Sequence, residues 1–207
     1  SDIGAHNDIG HIRVFKYNSI DNSWNQLGNE IIGRPTNTGT PLFYNMSLSS
    51  DGNVIAWGSH YYDVGEGQNN NHGHVRVFKY NETSETWEQY GNQLNGPGGL
   101  STEFGSSTCL SSDGKVLVVG MPNHRTSDSN QDRPGAMYVY YYNENNDTWT
   151  QISNMITGND NDWLGFCVSC SDDGSIVAVN GNYSSTAEKV EIYNICLLYT
   201  SPSPRDQ

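Results

Sequence analysis

The sequence predicts an all-β protein: a partial β-propeller of about three four-stranded antiparallel blades, with the start of a fourth. Three observations lead to this prediction. A module of roughly 60 residues repeats along the chain. Each copy contains four strand-like segments, and the third segment carries bulky apolar side chains on both faces. A sheet of that kind needs a packed neighbour on each side, which radial stacking of blades supplies.

The repeat is clearest in one strand and in the fixed positions around it. GHIRVFKYN at 10–18 returns as GHVRVFKYN at 73–81 and as GAMYVYYYN at 135–143. Each copy also has a tryptophan and an Asp-Gly segment at constant offsets: Trp24, Trp87 and Trp149, with the Asp-Gly segments at 49–52, 111–114 and 171–174. These spacings divide the chain into a partial blade at 1–33, blades at about 42–96 and 104–158, and an incomplete blade at 164–195.

Each copy divides into four strands. The first leads into the Asp-Gly turn and the second leaves it, because Asp-Gly between two apolar runs favours a tight hairpin. The third is the GHVRVFKYN-type strand, in which Val75 and Val77 lie on one face while Phe78 and Tyr80 lie on the other. The fourth starts at the tryptophan, after a short polar turn. No segment keeps an apolar period of roughly 3.6 residues over several turns, so no substantial helix is predicted.

Charge and hydrophobicity exclude two classes of partner. The net charge is −13 with only 10 Lys and Arg, so a basic surface for nucleic-acid phosphates is not expected. No apolar run approaches the roughly 18 residues of a membrane span.

The last twelve residues are not treated as part of the fold. Residues 196–206 read CLLYTSPSPRD, which resembles a sequencing adapter translated in frame, so 196–207 is set aside as a non-native C-terminal scar.

The remaining cysteines are Cys109, Cys167 and Cys170. Their odd number excludes a complete set of internal disulfides in this segment. Cys167 and Cys170 fall on one predicted strand and point to opposite faces, which favours small buried side chains over a metal or redox pair. His72 and His74 have no evident third ligand. No metal and no cofactor are therefore predicted.

The combined pattern resembles the integrin-alpha-like propeller repeats of the FG-GAP type. The residues that carry it are Phe104-Gly105, Leu164-Gly165, the Asp-Gly turns and the GHVRVFKYN-type strands. The resemblance implies a propeller, and many repeats of this family hold calcium in a D-x-D-x-D-G loop. Here each turn offers only one or two carboxylates, fewer than calcium coordination needs, so Ca²⁺ is not expected.

Binding residues are expected on one rim of the propeller, where the connections between strands 2 and 3 and between strands 4 and 1 lie. These connections are long and differ between copies, and variable loops on a rigid scaffold commonly carry function. Their mixture of aromatic and polar side chains suits a protein or glycan ligand. The candidates are His60, Tyr61, Tyr62, Asp63, His124, Arg125, Asp160, Asp162 and Trp163. No catalytic residue is predicted, because no G-x-S-x-G, H-E-x-x-H or phosphate-binding glycine loop occurs.

Four sequons begin at Asn45, Asn81, Asn146 and Asn182. Asn81 and Asn146 fall in turns on the rim opposite the proposed binding loops, which favours an extracellular or cell-surface location. The leading hypothesis is thus a non-catalytic extracellular propeller that binds a protein or glycan. Two alternatives stay open: a secreted propeller-based hydrolase or lyase with its site near the central axis, and an intracellular scaffold.

Overall fold

The computed structural model describes residues 10–33, 45–61, 71–98, 102–126, 132–152, 154–181 and 189–195. All helices and strands of the described ranges together amount to β-strands alone, with no helix among them. Every pairing between these strands is antiparallel. The prediction of an all-β partial propeller is confirmed. None of the described segments forms a helix that could cross a bilayer.

The first described stretch forms two small sheets that correspond to the third and fourth strands of a blade. In one sheet β1 (His11–Ile12) pairs with β4 (Ile31–Ile32), and in the other β2 (Phe15–Asn18) pairs with β3 (Ser23–Gln26). The pairing of Tyr17 with Trp24 repeats in both later blades, where Tyr80 faces Trp87 and Tyr142 faces Trp149.

Two complete blades and a three-stranded sheet follow. The first blade contains β5 (Asn45–Leu48), β6 (Val54–Ser59), β7 (His74–Asn81), β8 (Thr86–Gln89) and the short β9 (Leu94–Asn95), which also pairs with β7. The second contains β10 (Ser107–Leu110), β11 (Val116–Met121), β12 (Ala136–Asn143), β13 (Thr148–Gln151) and β14 (Ile156–Thr157), with the same order of pairing. The last sheet contains β15 (Cys167–Cys170), β16 (Ile176–Gly181) and β17 (Lys189–Asn194).

The Asp-Gly turns are held by their own side chains. Ser49 Oγ donates to Asp51 Oδ1 at 2.6 Å and accepts from the amide of Val54 at 2.9 Å. Asp51 Oδ1 also accepts from the Asn53 amide at 3.0 Å, and Gly52 takes the positive φ of +75° that the turn requires. Equivalent bonds close the turns at Asp113 and at Asp173. The turn carboxylates therefore have a structural role.

Neighbouring blades meet along their first strands, as expected for a fan around an axis. β10 lies beside both β5 and β15. The Leu110 amide donates to Ser47 Oγ at 2.9 Å across the first of these junctions. The three turns are joined in the same way, because the Ser50 amide donates to the Ser112 carbonyl and the Ser112 amide donates to the Asp172 carbonyl.

Both faces of the second complete blade are packed against a neighbouring sheet. One face shares an apolar cluster with the preceding blade, including Val75, Phe104 and Leu117, and the other shares a cluster with the following sheet, including Val118 and Val177. At the two ends of the fan the equivalent positions are exposed: Trp24 is 68% exposed and Ile192 is 72% exposed, whereas Trp149 is only 4% exposed. Burial at these positions therefore depends on a stacked neighbour.

Candidate functional site

The connections that were expected to carry function do lie together on one rim. In each complete blade, the long connection between strands 2 and 3 ends next to the connection that leads from strand 4 to strand 1 of the following blade. The Glu103 amide donates to the Asn71 carbonyl at 3.0 Å, and at the next junction the Trp163 amide donates to the Arg133 carbonyl at 3.1 Å. Short parallel bridges beside them pair Gly73 with Phe104 and Gly135 with Leu164. The same backbone arrangement thus recurs at both junctions with different side chains.

Five side chains of this rim interact around the second complete blade. We call Glu103, Asn123, Arg125, Arg133 and Trp163 the rim cluster. Asn123 and Arg125 lie in the connection that follows β11, Glu103 precedes β10, Arg133 precedes β12 and Trp163 precedes β15. Because all of these strand ends lie at the same edge of the propeller, four separate segments bring their side chains to one place.

The Glu103 carboxyl is the acidic member of the rim cluster. Asn123 Nδ2 donates to Glu103 Oε1 at 3.2 Å, and Asn123 itself is only 5% exposed. Burial raises the pKa of the Glu103 carboxyl, while the charges of Arg133 and Arg125 and the Asn123 hydrogen bond act against this rise. The Glu103 backbone has a φ of +56°, a conformation that costs a non-glycine residue roughly 1–2 kcal/mol.

The cationic members of the rim cluster are the guanidinium groups of Arg125 and Arg133. The Arg133 guanidinium stacks over the Trp163 ring, with 4.7 Å between the guanidinium carbon and the ring centroid. Burial and the neighbouring Arg133 charge lower the pKa of Arg125, against the opposing effect of Glu103. The two guanidinium groups can each pair with a carboxylate or phosphate group of a ligand, although the Asp132 carboxyl lies on the same rim and acts on His124 and Asp160.

Burial disfavours the charged form of two histidines of this rim, His60 and His124. Burial lowers the pKa of His60 to about 4. Burial also lowers the pKa of His124, although the charge of Asp132 acts in the opposite direction. At neutral pH each imidazole can therefore donate one proton and accept another.

The acidic residues of the 4–1 connection are farther along the same rim. A hydrogen bond with Asp132 and the Asp132 charge raise the pKa of Asp160. Asp162 Oδ2 accepts from the Asn159 amide at 2.8 Å and lies 3.5 Å from Lys189 Nζ. Asp162 thus closes a local turn and pairs with a cation.

The nine rim candidates from the sequence are distributed unevenly. Arg125 and Trp163 belong to the rim cluster, and His124 is the sequence neighbour of two of its members. His60 and Tyr61 belong to the preceding blade, where their rings pack with centroids 4.1 Å apart. Tyr62 and Asp63 lie outside the described residues.

Glu103, Asn123 and Arg133 were missed by sequence reasoning. A signal for two of them existed in the repeat, because Glu103 occupies the position of Trp163 and Arg133 occupies the position of Asn71. Comparing equivalent positions across the copies would have identified these residues.

Among the described residues, no group of three or more His, Cys, Asp or Glu side chains is placed to hold a metal ion. Three of the four sequon asparagines are described. Asn45 starts β5, Asn81 ends β7 and donates to Glu88 Oε1 at 3.0 Å, and Asn146 accepts from Thr148 Oγ1 at 2.7 Å. Asn182 lies outside the described residues.

No protein-family model matches the chain, and no curated protein matches its sequence. Solved structures do share its fold. A protein of Bacteroides uniformis assigned as a 6-phosphogluconolactonase is 12% identical with a TM-score of 0.52, over 90% of this chain and 49% of that one. The periplasmic gluconolactonase of Pseudomonas aeruginosa is 16% identical with a TM-score of 0.45, over 88% and 45% of the two chains. A second Bacteroides protein with the same assignment, from Bacteroides fragilis, is 12% identical with a TM-score of 0.47, over 87% and 48%. The chain thus spans about half the length of the structures it matches.

These comparisons correct three predictions. The resemblance to integrin-alpha-like FG-GAP repeats is wrong, since the fold is shared with the Bacteroides uniformis protein assigned as a 6-phosphogluconolactonase. The predictions of a non-catalytic module that binds a protein or glycan, and of a protein that is not an enzyme, are contradicted by the lactonase activity assigned to that structure. The physical cause is that the Phe-Gly, Asp-Gly and Trp positions specify blade geometry, which propellers of different function share.

Proposed function

We propose that the propeller to which this chain contributes is a hydrolase that opens sugar lactones at the rim cluster. The observation that carries the proposal is the half-buried Glu103 carboxyl, which accepts a 3.2 Å hydrogen bond from Asn123 Nδ2 and interacts electrostatically with Arg133 and Arg125. The enzymatic class is supported by the fold that the chain shares with the Bacteroides uniformis protein, whose assigned activity is that of a lactonase. The substrate class follows from that assigned activity and from the two guanidinium groups of the cluster.

The reaction requires one proton acceptor and one group that stabilises a developing anion. The Glu103 carboxylate takes a proton from water as the water oxygen attacks the lactone carbonyl carbon. The guanidinium of Arg125 or Arg133 stabilises the oxyanion of the tetrahedral intermediate. When the ring C–O bond breaks, Glu103 returns the proton to the leaving oxygen, and the product is an open-chain hydroxy acid.

The raised pKa of Glu103 has a direct catalytic benefit. A general base works best when its pKa is close to the working pH, and burial moves this carboxyl in that direction. Asn123 fixes the orientation of the carboxyl through the 3.2 Å hydrogen bond to Oε1, which leaves Oε2 to meet the water. Asn123 is thus a positioning residue in this scheme.

The charge of the cluster favours an anionic substrate. The whole chain has only 10 Lys and Arg against 23 Asp and Glu, and two of the arginines, Arg125 and Arg133, lie close enough on this rim to repel each other electrostatically. A phosphorylated sugar lactone would bind more tightly than its uncharged counterpart, because an arginine pairs with phosphate through two parallel hydrogen bonds. An extracellular site of action is part of the proposal and rests on the sequons at Asn81 and Asn146.

The test is hydrolysis of δ-gluconolactone and 6-phosphogluconolactone by the full chain, followed as proton release at constant pH after subtraction of the uncatalysed rate. Glu103→Gln should lower kcat/KM about 100-fold or more, the usual size of a general-base contribution. Glu82→Gln is the matched control, since Glu82 is exposed in the turn between β7 and β8 on the opposite rim. Its rate should equal that of the wild type.

Binding of the product anion gives a second readout. Arg125→Gln and Arg133→Gln should each weaken binding of 6-phosphogluconate about tenfold or more in titration calorimetry, the value of a charged hydrogen bond. Hydrolysis no faster than the uncatalysed background would overturn the proposal. So would a Glu103→Gln variant with the activity of Glu82→Gln.

A further inference from the structure

Two cysteine side chains meet at the junction between the second complete blade and the following sheet. The Sγ atoms of Cys109 on β10 and Cys170 on β15 are 2.6 Å apart. The Cys170 amide also donates to Cys109 Sγ at 3.1 Å. Both cysteines are unbonded thiols, and both are half-buried. The distance exceeds a covalent S–S bond of about 2.05 Å by only roughly half an ångström.

The repeat shows that this approach of two side chains is built into the blade junction. At the preceding junction the equivalent pair is Ser47 and Leu110, where the Leu110 amide donates to Ser47 Oγ at 2.9 Å. The Cys170 amide and Cys109 Sγ make the same contact one junction later. The two sulfur atoms therefore meet because the first strands of adjacent blades are in fixed register, and a bond between them needs no rearrangement of the strands.

The two thiols differ in their readiness to ionise. Hydrogen bonds from the Cys170 thiol and amide lower the pKa of Cys109 to about 7, against the effect of burial. The same hydrogen bond, together with burial and nearby negative charge, raises the pKa of Cys170. Cys109 is thus the thiol with the larger thiolate fraction at neutral pH, and the thiolate is the attacking species in disulfide exchange.

We propose that Cys109 and Cys170 form a disulfide that joins adjacent blades when the protein meets a small-molecule disulfide oxidant. The Cys109 thiolate attacks the oxidant, forms a mixed disulfide and expels one thiolate. The Cys170 thiol loses its proton to solvent and attacks Cys109 Sγ, forming the intramolecular S–S bond and expelling the second thiolate. Two protein thiols are oxidised, and one oxidant disulfide is reduced to two thiols.

This site is independent of the proposed hydrolase activity, because it lies on the first strands rather than on the rim loops. The prediction of small buried side chains concerned Cys167 and Cys170, and in the structure Cys170 is half-buried whereas Cys167 is exposed. Cys167 takes no part in the pair. It is exposed and lies on the opposite face of β15 from Cys170. The odd number of cysteines is therefore resolved as one bonding pair and one thiol.

The bond would stabilise the stacking of the blades. Cys109 and Cys170 are 61 residues apart, so their crosslink closes a long loop of the unfolded chain and reduces its entropy. For a protein of this size the expected rise in the midpoint of thermal unfolding is on the order of 10 °C. Addition of a reducing agent should reverse the rise.

The experiment uses the full chain with Cys196→Ser, incubated with oxidised glutathione, then alkylated and digested for mass spectrometry. The expected product is a peptide pair linked through Cys109 and Cys170, lighter by two hydrogen atoms, with Cys167 alkylated or glutathionylated. Cys167→Ser is the matched control and should leave the linked pair unchanged. Cys109→Ser should abolish both the linked pair and the rise in the unfolding midpoint.

A second variant tests whether the register of the first strands is enough to bring two thiols together at another blade junction. Ser47→Cys with Leu110→Cys, in a chain carrying Cys109→Ser and Cys170→Leu, should form the same bond at the preceding junction. Separate alkylation of Cys109 and Cys170 after oxidation would overturn the proposal. A dominant link from Cys167 to either residue would overturn it as well.

Discussion

The indole Nε1 of Trp149 donates a hydrogen bond of 2.9 Å to the carbonyl oxygen of Tyr90, which lies just beyond the fourth strand of the preceding blade. The contact repeats one blade earlier, where Trp87 Nε1 donates to the Leu27 carbonyl at 2.8 Å. The repeated tryptophan therefore does two things at once. It fills the space between blades with its ring and satisfies a backbone carbonyl of its neighbour with its N–H group.

Replacement of Trp149 should separate these two contributions. Trp149→Phe retains a ring but leaves the Tyr90 carbonyl without its donor, so the free energy of unfolding should fall by about 1–2 kcal/mol. Trp149→Ala also removes the packing of a residue that is 4% exposed, and the loss should reach about 3–5 kcal/mol. Urea unfolding followed by fluorescence of the remaining tryptophans and by circular dichroism measures both.

Trp24→Ala is the control for this series, because Trp24 has the same repeat position and is 68% exposed. It should cost less than about 1 kcal/mol. An equal loss for Trp24→Ala and Trp149→Ala would contradict the view that the tryptophan acts between blades.

Gly91 lies directly under the Trp149 ring and should not tolerate a side chain. Its φ is +77°, and an added Cβ would be 2.7 Å from Trp149 Cδ1. Gly91→Ala should therefore lower the free energy of unfolding by more than about 1 kcal/mol, from backbone strain together with displacement of the ring. Gly98→Ala offers a comparison, since an added Cβ there meets nothing within 4 Å. Equal thermal midpoints for the two variants would argue against the contact.

The positive φ of Glu103 predicts an unusual order of stability. Glu103→Gly and Glu103→Ala both remove the carboxyl, but only glycine adopts a φ of +56° without steric cost. The glycine variant should be more stable than the alanine variant by about 1 kcal/mol. At Glu82, which does not have a positive φ, the order should be reversed or equal. Thermal unfolding of the four variants decides the matter, and neither Glu103 variant should hydrolyse lactones.

The Asp-Gly turns predict how stability responds to acid. The Ser49 hydroxyl and the Asn53 amide lower the pKa of Asp51, and the Ser175 amide and the Ser171 hydroxyl lower the pKa of Asp173 to about 2. A carboxyl whose pKa is lower in the folded state stabilises the fold fully above its unfolded value of 3.8. That contribution is lost as the pH falls from 3.8 through the lower folded pKa.

Asp51→Asn and Asp173→Asn should therefore flatten the decline of the unfolding midpoint below about pH 4, measured by calorimetry over a pH series. Glu103 acts with the opposite sign, because its raised pKa makes the folded state hold the proton longer. Its contribution falls as the pH rises past 4.5, and Glu103→Gln should remove that part of the slope. Parallel curves for all variants would contradict the assignments.

The blades could be predicted from the sequence because the features that define them are local. The Asp-Gly turns, the Tyr-Trp pairs and the third strand with apolar residues on both faces can all be recognised within a single copy of the repeat. The rim cluster could not be predicted in the same way, because Glu103 and Asn123 meet only after a 4–1 connection has been placed against the end of a second strand. The family was misidentified because the motifs used for it describe packing between blades and carry no information about catalysis.

The backbone bonds from Glu103 to Asn71 and from Trp163 to Arg133 have the same geometry although all four side chains differ. At these positions the main-chain atoms hold the blade junction together, and the side-chain atoms provide its functional groups. Mutation can change the functional groups displayed at a single junction while its neighbours keep theirs. A duplicated blade can in this way acquire a new specificity in a few substitutions, without passing through an unfolded ancestor.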